Sequence, residues 1–573
     1  EKAAAEGLTP LEYMRRYVPV GWMGFSLVYG FSGLSPSGYH MAGAAAQVAS
    51  AMLVFAIVLT VLRRSAASAE DRWRIGCATL AALGWSLHPM RAEAMGWASG
   101  LFYSLSGVGA LLSVLAYLRA WSPGARRSRW VALAGALHLG AMLAYPMSVG
   151  VFGVFVLLDL AFWRTPGKNH AGAEAVRLSK PSCDETLTRS ATSVRRLVCE
   201  KVALAVPVAV VAGLTVLASH HAPVFWSRPP SWAEFGGWDR LQQAAAAWVY
   251  FLGKPWWPVG LTPVPTWLVD AGAVRFQAVA SFVAVVAVSL GLIAGWRRWR
   301  GAALLWFAHA CLLAPMLGLT ERPYFPSDRY HNLAGVVLVV AGALGLVRVR
   351  GAWRVGCGVG GAVVIVTLAM LQRQQLRIWT NTDTLMGRSV QRAENPAVRQ
   401  DYQERWGRFH ANRGNLARAA AVASELGLDL NRLLEPAPGG VPPTAALHLK
   451  LALAFVRAGR TIEAHEHFET VLKLVPDWGE AAYNLGLLHA SEGAALAALR
   501  QYTRAVAPSR GTPVALAARL RLLTLIADAF FATRRPGLAV RTVDLALQEA
   551  GAAGAAPELL APLRAQRARY GAP

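Results

Sequence analysis

Three short clusters put ionisable side chains where long apolar runs end. The first is His88-Pro89-Met90-Arg91-Ala92-Glu93, followed by Trp97. Ionisable groups at the end of a membrane span carry a desolvation cost, so they often mark a site. Plain interfacial anchoring fits the same residues. The second cluster, Glu321-Arg322-Pro323-Tyr324-Phe325-Pro326-Ser327-Asp328-Arg329-Tyr330-His331-Asn332, sets two acids, two arginines and two tyrosines against the start of another run. Paired arginines can clamp a phosphate in bidentate fashion; a salt-bridged loop is the alternative. The third, Gly253-Lys254-Pro255-Trp256-Trp257-Pro258, offers a lysine at membrane level to a lipid phosphate, or one that only snorkels.

Other motifs carry less chemistry. His220-His221 has no carboxylate at ligand spacing, and Gly356-Cys357-Gly358-Val359-Gly360-Gly361 opens an apolar run, where small residues serve helix packing. The five cysteines contain no CxxC pair, which argues against a disulfide framework or a zinc site. No Walker lysine, nucleophile elbow or HExxH is present. No metal is therefore expected to be bound by these motifs.

The elements that must position these groups follow from hydropathy. The 573 residues are 55% hydrophobic and 16% charged, with a mean hydropathy of +0.35; soluble domains carry roughly 25% charged residues. Residues 38–371 hold the long apolar runs, whereas 372–573 are Ala/Leu/Arg-rich with charges at helical spacing. The expected architecture is all-α: a polytopic membrane domain, then a water-soluble helical domain. The net charge of +24 is placed in short clusters between apolar runs, without a basic stripe of interleaved aromatics, so no nucleic-acid partner is expected.

A span needs about 20 apolar residues, and ten candidates result: 38–62, 73–89, 98–120, 130–145, 148–163, 200–219, 274–296, 301–319, 329–347 and 353–371. Residues 130–163 also fit one unit broken at Tyr145-Pro146, and 241–260 reads as re-entrant or interfacial. Basic clusters (Arg63/Arg64, Arg126/Arg127/Arg129, 164–201, Arg297/Arg298/Arg300, Arg348/Arg350/Arg354) occur at every second connection. The positive-inside rule puts these in the cytoplasm, and puts 1–37, the alternate connections and everything after 371 outside. The division expected is 1–37 as the end of an external loop with an interfacial helix, 38–371 as the membrane domain, 372–399 as a connector and 400–573 as repeats. An external start at Glu1 implies at least one further span upstream if the intact N-terminus is cytoplasmic.

From 445 onward the chain repeats every 34 residues. Residues 445–478 place Ala452, Phe455, Ala464, Phe468 and Pro476 at tetratricopeptide positions. Residues 479–512 place Leu485, Gly486, Ala498, Tyr502 and Ala505 likewise. A third unit near 520–553 carries Ala527, Phe530, Ala539 and Ala546 after about seven inserted residues, and a degenerate one near 400–433 carries Gly407, Gly414 and Ala419. Such repeats form a rigid scaffold or a peptide-binding groove.

With these residues in place, the stretch Ser86 to Trp97 resembles the HP-x-x-x-E-x-x-x-W edge of GT-C superfamily membrane glycosyltransferases with C-terminal tetratricopeptide repeats, relatives of protein O-mannosyltransferases. Gly38-Tyr39-His40, Leu252 to Pro258, Asp328-Arg329-Tyr330 and Trp379 match in consistent order. The resemblance implies transfer of a sugar from a polyprenyl-phosphate carrier to an external acceptor, such as protein hydroxyls, at a bacterial inner membrane. No cofactor beyond this donor is implied with certainty, and metal dependence is left open. The implied catalytic residues are Glu93 and His88. Arg91, Lys254 and Arg329 would hold the donor phosphate, with Asp328 orienting Arg329 and Tyr330 beside it. The family's Tyr-Arg-Pro stretch reads Tyr17-Val18-Pro19 here, and the Asp expected upstream of it is not in the sequence, which leaves catalysis by this stretch of chain open. The alternative from another class is a non-catalytic membrane-anchored repeat scaffold for periplasmic protein assembly.

Overall fold

The computed structural model describes residues 18–33, 35–66, 68–162, 183–221, 236–261, 275–319, 327–393, 396–412, 415–427, 443–506, 516–552 and 557–571. These residues are all-helical, and no strand occurs among them. The chain divides into two compact units, one over Ala3–Arg399 and the other mainly over Gln400–Pro573.

In the first unit, α1 (Pro19–Ser32), α2 (Pro36–Ser65), α3 (Asp71–Ser86), the short α4 (Ala92–Gly96), α5 (Leu101–Arg119), α6 (Arg127–Ala144) and α7 (Val151–Phe162) are followed by α8 (Cys183–His221), α9 (Gly237–Gly253), α10 (Arg275–Ala294), α11 (Trp296–Leu313), α12 (His331–Leu346), α13 (Trp353–Ile378) and α14 (Thr382–Arg392). Proline starts α1 and α2, where its missing N–H costs nothing and its fixed φ suits a first turn. Among the described residues, six helices are long and apolar enough to cross a membrane: Pro36–Ser65, Leu101–Arg119, Leu197–Leu217, Phe276–Ala294, Asp328–Leu346 and Trp353–Ile378. Each of the ten expected spans corresponds to a helix, but the number that meets length and hydropathy together is six rather than ten. The segments at 73–89, 130–145, 148–163 and 301–319 fall short: α3 has 16 residues, α7 has 12, and α6 and α11 open on arginine-rich turns. The break at Tyr145-Pro146 is real, for Pro146–Gly150 forms a 3-10 turn between α6 and α7. The last span runs past 371 as one helix to Ile378.

Burial sorts these helices. The apolar window of α5 is 61% buried within the unit, and that of α13 only 6%. Helix α5 packs against α2 and α6, while α12 packs against α2, α3 and α11, so these form the centre. Val355, Val363 and Val366 on α13, and Phe276 and Leu290 on α10, are exposed; an apolar face of this extent is stable against lipid and not against water. Close approach is enforced where a Cβ at Gly150 would lie 1.9 Å from the Cys311 backbone oxygen.

One end of the unit collects the basic clusters. Arg64 donates to Leu118 O (2.8 Å) and Ser122 Oγ (2.9 Å), and Arg354 to Glu70 (2.9 Å). Arg127 bridges Glu200 (2.9 Å) and Asp159 (3.2 Å). Tyr117 Oη donates to the Asp159 carboxylate at 2.8 Å, and Trp121 Nε1 donates to it at 3.0 Å. Connections far apart in sequence thus share one end, as alternation along the chain requires.

The second unit is a series of helical hairpins. After α15 (Pro396–Asn412), within which the division falls, come α16 (Leu416–Leu426), α17 (Pro443–Arg457), α18 (Thr461–Leu474), α19 (Gly479–Ser491), α20 (Ala495–Val506), α21 (Leu516–Ala532), α22 (Pro536–Ala552) and α23 (Pro557–Gly571). Each helix from α17 to α22 packs on its predecessor or successor in the series. Ala452, Ala464, Phe468, Ala498 and Tyr502 are all buried, and a Cβ on Gly486 would meet the Tyr502 ring at 2.5 Å. Phe455 is only partly buried and stacks on His467. Gly414 and part of the inserted stretch lie outside the described residues.

The hairpin turns repeat in detail. Gly459 and Gly493 adopt φ of 71° and 77°, and each turn closes by a bond from the next residue's N–H to a carbonyl five back: Arg460 to Phe455 O (2.9 Å), Ala494 to His489 O (2.9 Å) and Arg535 to Phe530 O (2.9 Å). In the third turn the left-handed position is Arg534, with φ of 57°. A Cβ there costs about 1–2 kcal/mol. Arg534→Gly should therefore stabilise this unit by about 1 kcal/mol, read as a higher unfolding midpoint for the full chain. An unchanged or lower midpoint would remove the strain argument.

Candidate functional site

The end of the first unit opposite the basic clusters gathers the residues singled out from sequence. A 3-10 turn at Pro89–Arg91 and α4 carry His88, Arg91 and Glu93. A second 3-10 turn, Asp328–Tyr330, leads into α12, and α9 ends at Gly253, just before Lys254. Pro89 at the first position starts its turn, and the His88 ring caps it by accepting from Met90 N–H at 3.2 Å.

Glu93 and Arg329, 236 residues apart, form an ion pair. The Arg329 backbone N–H also donates to Glu93 Oε2 at 2.9 Å. The guanidinium donates to Tyr103 Oη (3.3 Å) and Tyr330 Oη (3.1 Å) and lies 5.1 Å from the Trp97 ring centre and 4.7 Å from that of Tyr330. Tyr103 in turn shares a 2.8 Å hydrogen bond with Tyr145. Glu93 is 4% exposed at its side chain and Arg329 17%, so only the cation of this pair reaches outward.

Asp328 is buried and accepts from Tyr250 Oη at 3.0 Å. Burial and the Asp328 charge push the Tyr250 hydroxyl up, which keeps it a donor. The expectation that Asp328 orients Arg329 is corrected: Glu93 holds Arg329, and Asp328 is held by Tyr250. The reason is direction, for α9 runs beside this turn and presents Tyr250 to it.

Arg91 is buried at 2% exposure. Its guanidinium donates to Asn332 Oδ1 (2.9 Å) and reaches His331 Nδ1 (3.3 Å), against the Trp85 ring at 5.3 Å. Burial pushes its pKa down to about 10, opposed by the Asp328 charge. A Cβ at Gly335 would lie 2.9 Å from Arg91 Nη2, so the glycine makes room for this side chain. Arg91 therefore braces the α3–α12 contact rather than facing an open surface.

His88 is also braced. One ring nitrogen accepts from Met90 N–H, so the other carries the proton and donates to Pro255 O at 3.0 Å. Both nitrogens are engaged, and through them the ring positions the 253–258 turn. Lys254 donates to Val259 O at 2.7 Å; burial lowers its pKa while Asp328 raises it. Beside it Trp256 and Trp257 are each 75% exposed.

Sequence reasoning passed over Tyr103, Tyr145, Tyr250, Trp85 and the His309–His331 pair (3.4 Å, with Trp248 donating to His309 at 2.9 Å). The only sequence signal was polar aromatic residues within otherwise apolar helices. Glu321 to Pro326 and Tyr17 lie outside the described residues. No family model matches this chain, and no curated protein or solved structure matches it.

Proposed function

We propose that this protein is a polytopic membrane glycosyltransferase of the GT-C kind, which takes a sugar from a polyprenyl-phosphate carrier and passes it to an external acceptor. The observation that carries this reading is the half-buried, aromatic-lined cation Arg329, paired with Glu93 at one end of an apolar helical unit. An outward-facing guanidinium there suits a phosphate ester, and it would stabilise charge on the departing polyprenyl phosphate. Lys254 is a further cation at that end. Between the helices of this unit, an apolar cavity of about 130 Å³ is lined by Leu333, Val337 and Val340 with Ile57, Leu111 and Leu312. Such a lining accepts isoprenoid chain and no polar group.

In this reading the ten helices expected to span are membrane-embedded, the basic end is cytoplasmic, and the hairpin series is a tetratricopeptide solenoid on the periplasmic side of a bacterial inner membrane. The solenoid would receive the protein acceptor or a partner. One observation favours the alternative of a non-catalytic scaffold: both carboxylates, Glu93 and Asp328, are already engaged, so neither is poised as a base.

The test is transfer by the full chain in proteoliposomes supplied with polyprenyl-phosphate-linked sugars, followed by released polyprenyl phosphate. Arg329→Lys keeps the charge but loses the planar fork. It should reduce turnover by at least about tenfold, or roughly 1.4 kcal/mol of transition-state stabilisation. Wild-type turnover in this variant, at equal membrane insertion, would sink the assignment of Arg329, and no turnover of any carrier by the wild-type chain would favour the scaffold.

A further inference from the structure

We propose that His465, His489 and Glu492 form a site for a divalent transition metal, Zn²⁺ being the best fit, which ties one helical hairpin to the next. His465 stands on α18, the second helix of one hairpin. His489 stands near the end of α19, the first helix of the following one, and Glu492 is the residue that caps α19. Glu492 Oε2 lies 2.8 Å from His465 Nε2 and 3.9 Å from His489 Nδ1, and the two imidazole centres are 4.6 Å apart. The three donor atoms all fall within 4.8 Å of one another. A tetrahedral ion with ligand bonds near 2.0–2.1 Å needs donor separations of about 3.4 Å, and the two donor separations involving Glu492 bracket this value. Small side-chain rotations on a fixed backbone suffice.

The backbone is fixed where it matters. Ala494 N–H donates to His489 O at 2.9 Å, Glu492 N–H to Leu488 O at 3.2 Å, and Gly493 adopts the left-handed conformation that ends the helix. Two neutral imidazoles and one carboxylate are a donor set that zinc takes in preference to calcium or magnesium. The side chains are 21%, 20% and 37% exposed, so an ion can enter from solvent and one coordination position stays open to water or to a partner's ligand.

The repeat itself gives an independent argument. The turn bonds equate His489 with His410, Phe455 and Phe530, so this position carries an aromatic ring in each turn. The 34-residue period equates His465 with Leu499. Hairpin packing thus takes an aromatic ring at the first of these positions, and among these described turns a histidine stands at both positions only here, beside Glu492. Packing accounts for a ring at His489 but not for a second imidazole facing it at His465, whereas a shared ion accounts for both.

The test uses the full chain in detergent, stripped with chelator and titrated with Co²⁺ and then Zn²⁺. One Co²⁺ per chain should bind with the intense visible absorption of a tetrahedral N/O site, and Zn²⁺ should displace it and raise the unfolding midpoint. Glu492→Gln, which keeps the hydrogen bond but not the charge, and His465→Ala should each weaken Zn²⁺ binding at least about tenfold, with helical content unchanged. His448→Ala removes one of a separate pair, His448 and His467, whose Nδ1 atoms are 2.8 Å apart, and should leave the Co²⁺ spectrum as it was. Absence of a stoichiometric Co²⁺ spectrum, or equal Zn²⁺ binding by wild type and Glu492→Gln, would overturn the proposal. So would a site abolished by His448→Ala and indifferent to His465→Ala.

Discussion

Arg329→Met should destabilise the first unit by about 3–5 kcal/mol, and Glu93→Gln added to it should restore most of that loss. Glu93 is 4% exposed, with both oxygens on Arg329. Removing the cation leaves a carboxylate that must stay charged without a partner or bind a proton, and either costs far more than losing a surface pair. The reverse single change is milder, because Arg329 without Glu93 keeps its Tyr103 and Tyr330 hydroxyls and its contacts with aromatic faces. The cycle should therefore be strongly non-additive. Detergent-unfolding midpoints of the four proteins measure it, and additive single effects would mean that the pair is not formed. Transfer activity should stay low in the double variant, since stability returns and the cation does not.

The second large effect lies at the opposite end. Asp159 is 10% exposed at its side chain and receives Tyr117, Trp121, Arg127 and Lys201. Asp159→Asn leaves two cations sharing no anion except Glu200, and should destabilise by about 3 kcal/mol. Asp71 provides the contrast. It also meets two arginines, Arg63 and Arg74, but is 50% exposed, so Asp71→Asn should cost far less than Asp159→Asn. The same unfolding assay compares them, and equal losses would show that burial does not set the strength of these clusters. Because α6, α7 and α8 meet at Asp159, the loss should appear as looser packing of these helices with turnover per folded molecule retained.

Much of this architecture was legible before any coordinates. Helix positions in the first unit follow from hydropathy summed over a few turns, and hairpin positions in the second follow from small residues recurring every 34 positions. Ala464 with Ala498, and Phe468 with Tyr502, hold equivalent buried places because the spacing dictates it. The alternation of basic clusters also foretold which connections would share an end. Span counting was less secure: α3 and α7 are helices, yet their apolar stretches are too short to cross a bilayer by themselves.

The amino-acid sequence by itself determined the all-helical character, the two compositional halves, the repeat period and the polar edge where His88, Arg91, Glu93 and Arg329 would lie. These are local properties, carried by the side chains of a few turns and independent of what the helices meet. Only the tertiary structure decided who holds whom. Glu93 took Arg329, Asp328 took Tyr250, Arg91 turned inward to Asn332, and His88 spent both nitrogens on backbone groups. Those choices depend on how each helix is rotated and how deeply each group is buried. Neither quantity is written in the spacing of residues, and a buried charge pays its desolvation cost unless some partner, however distant along the chain, is brought to it.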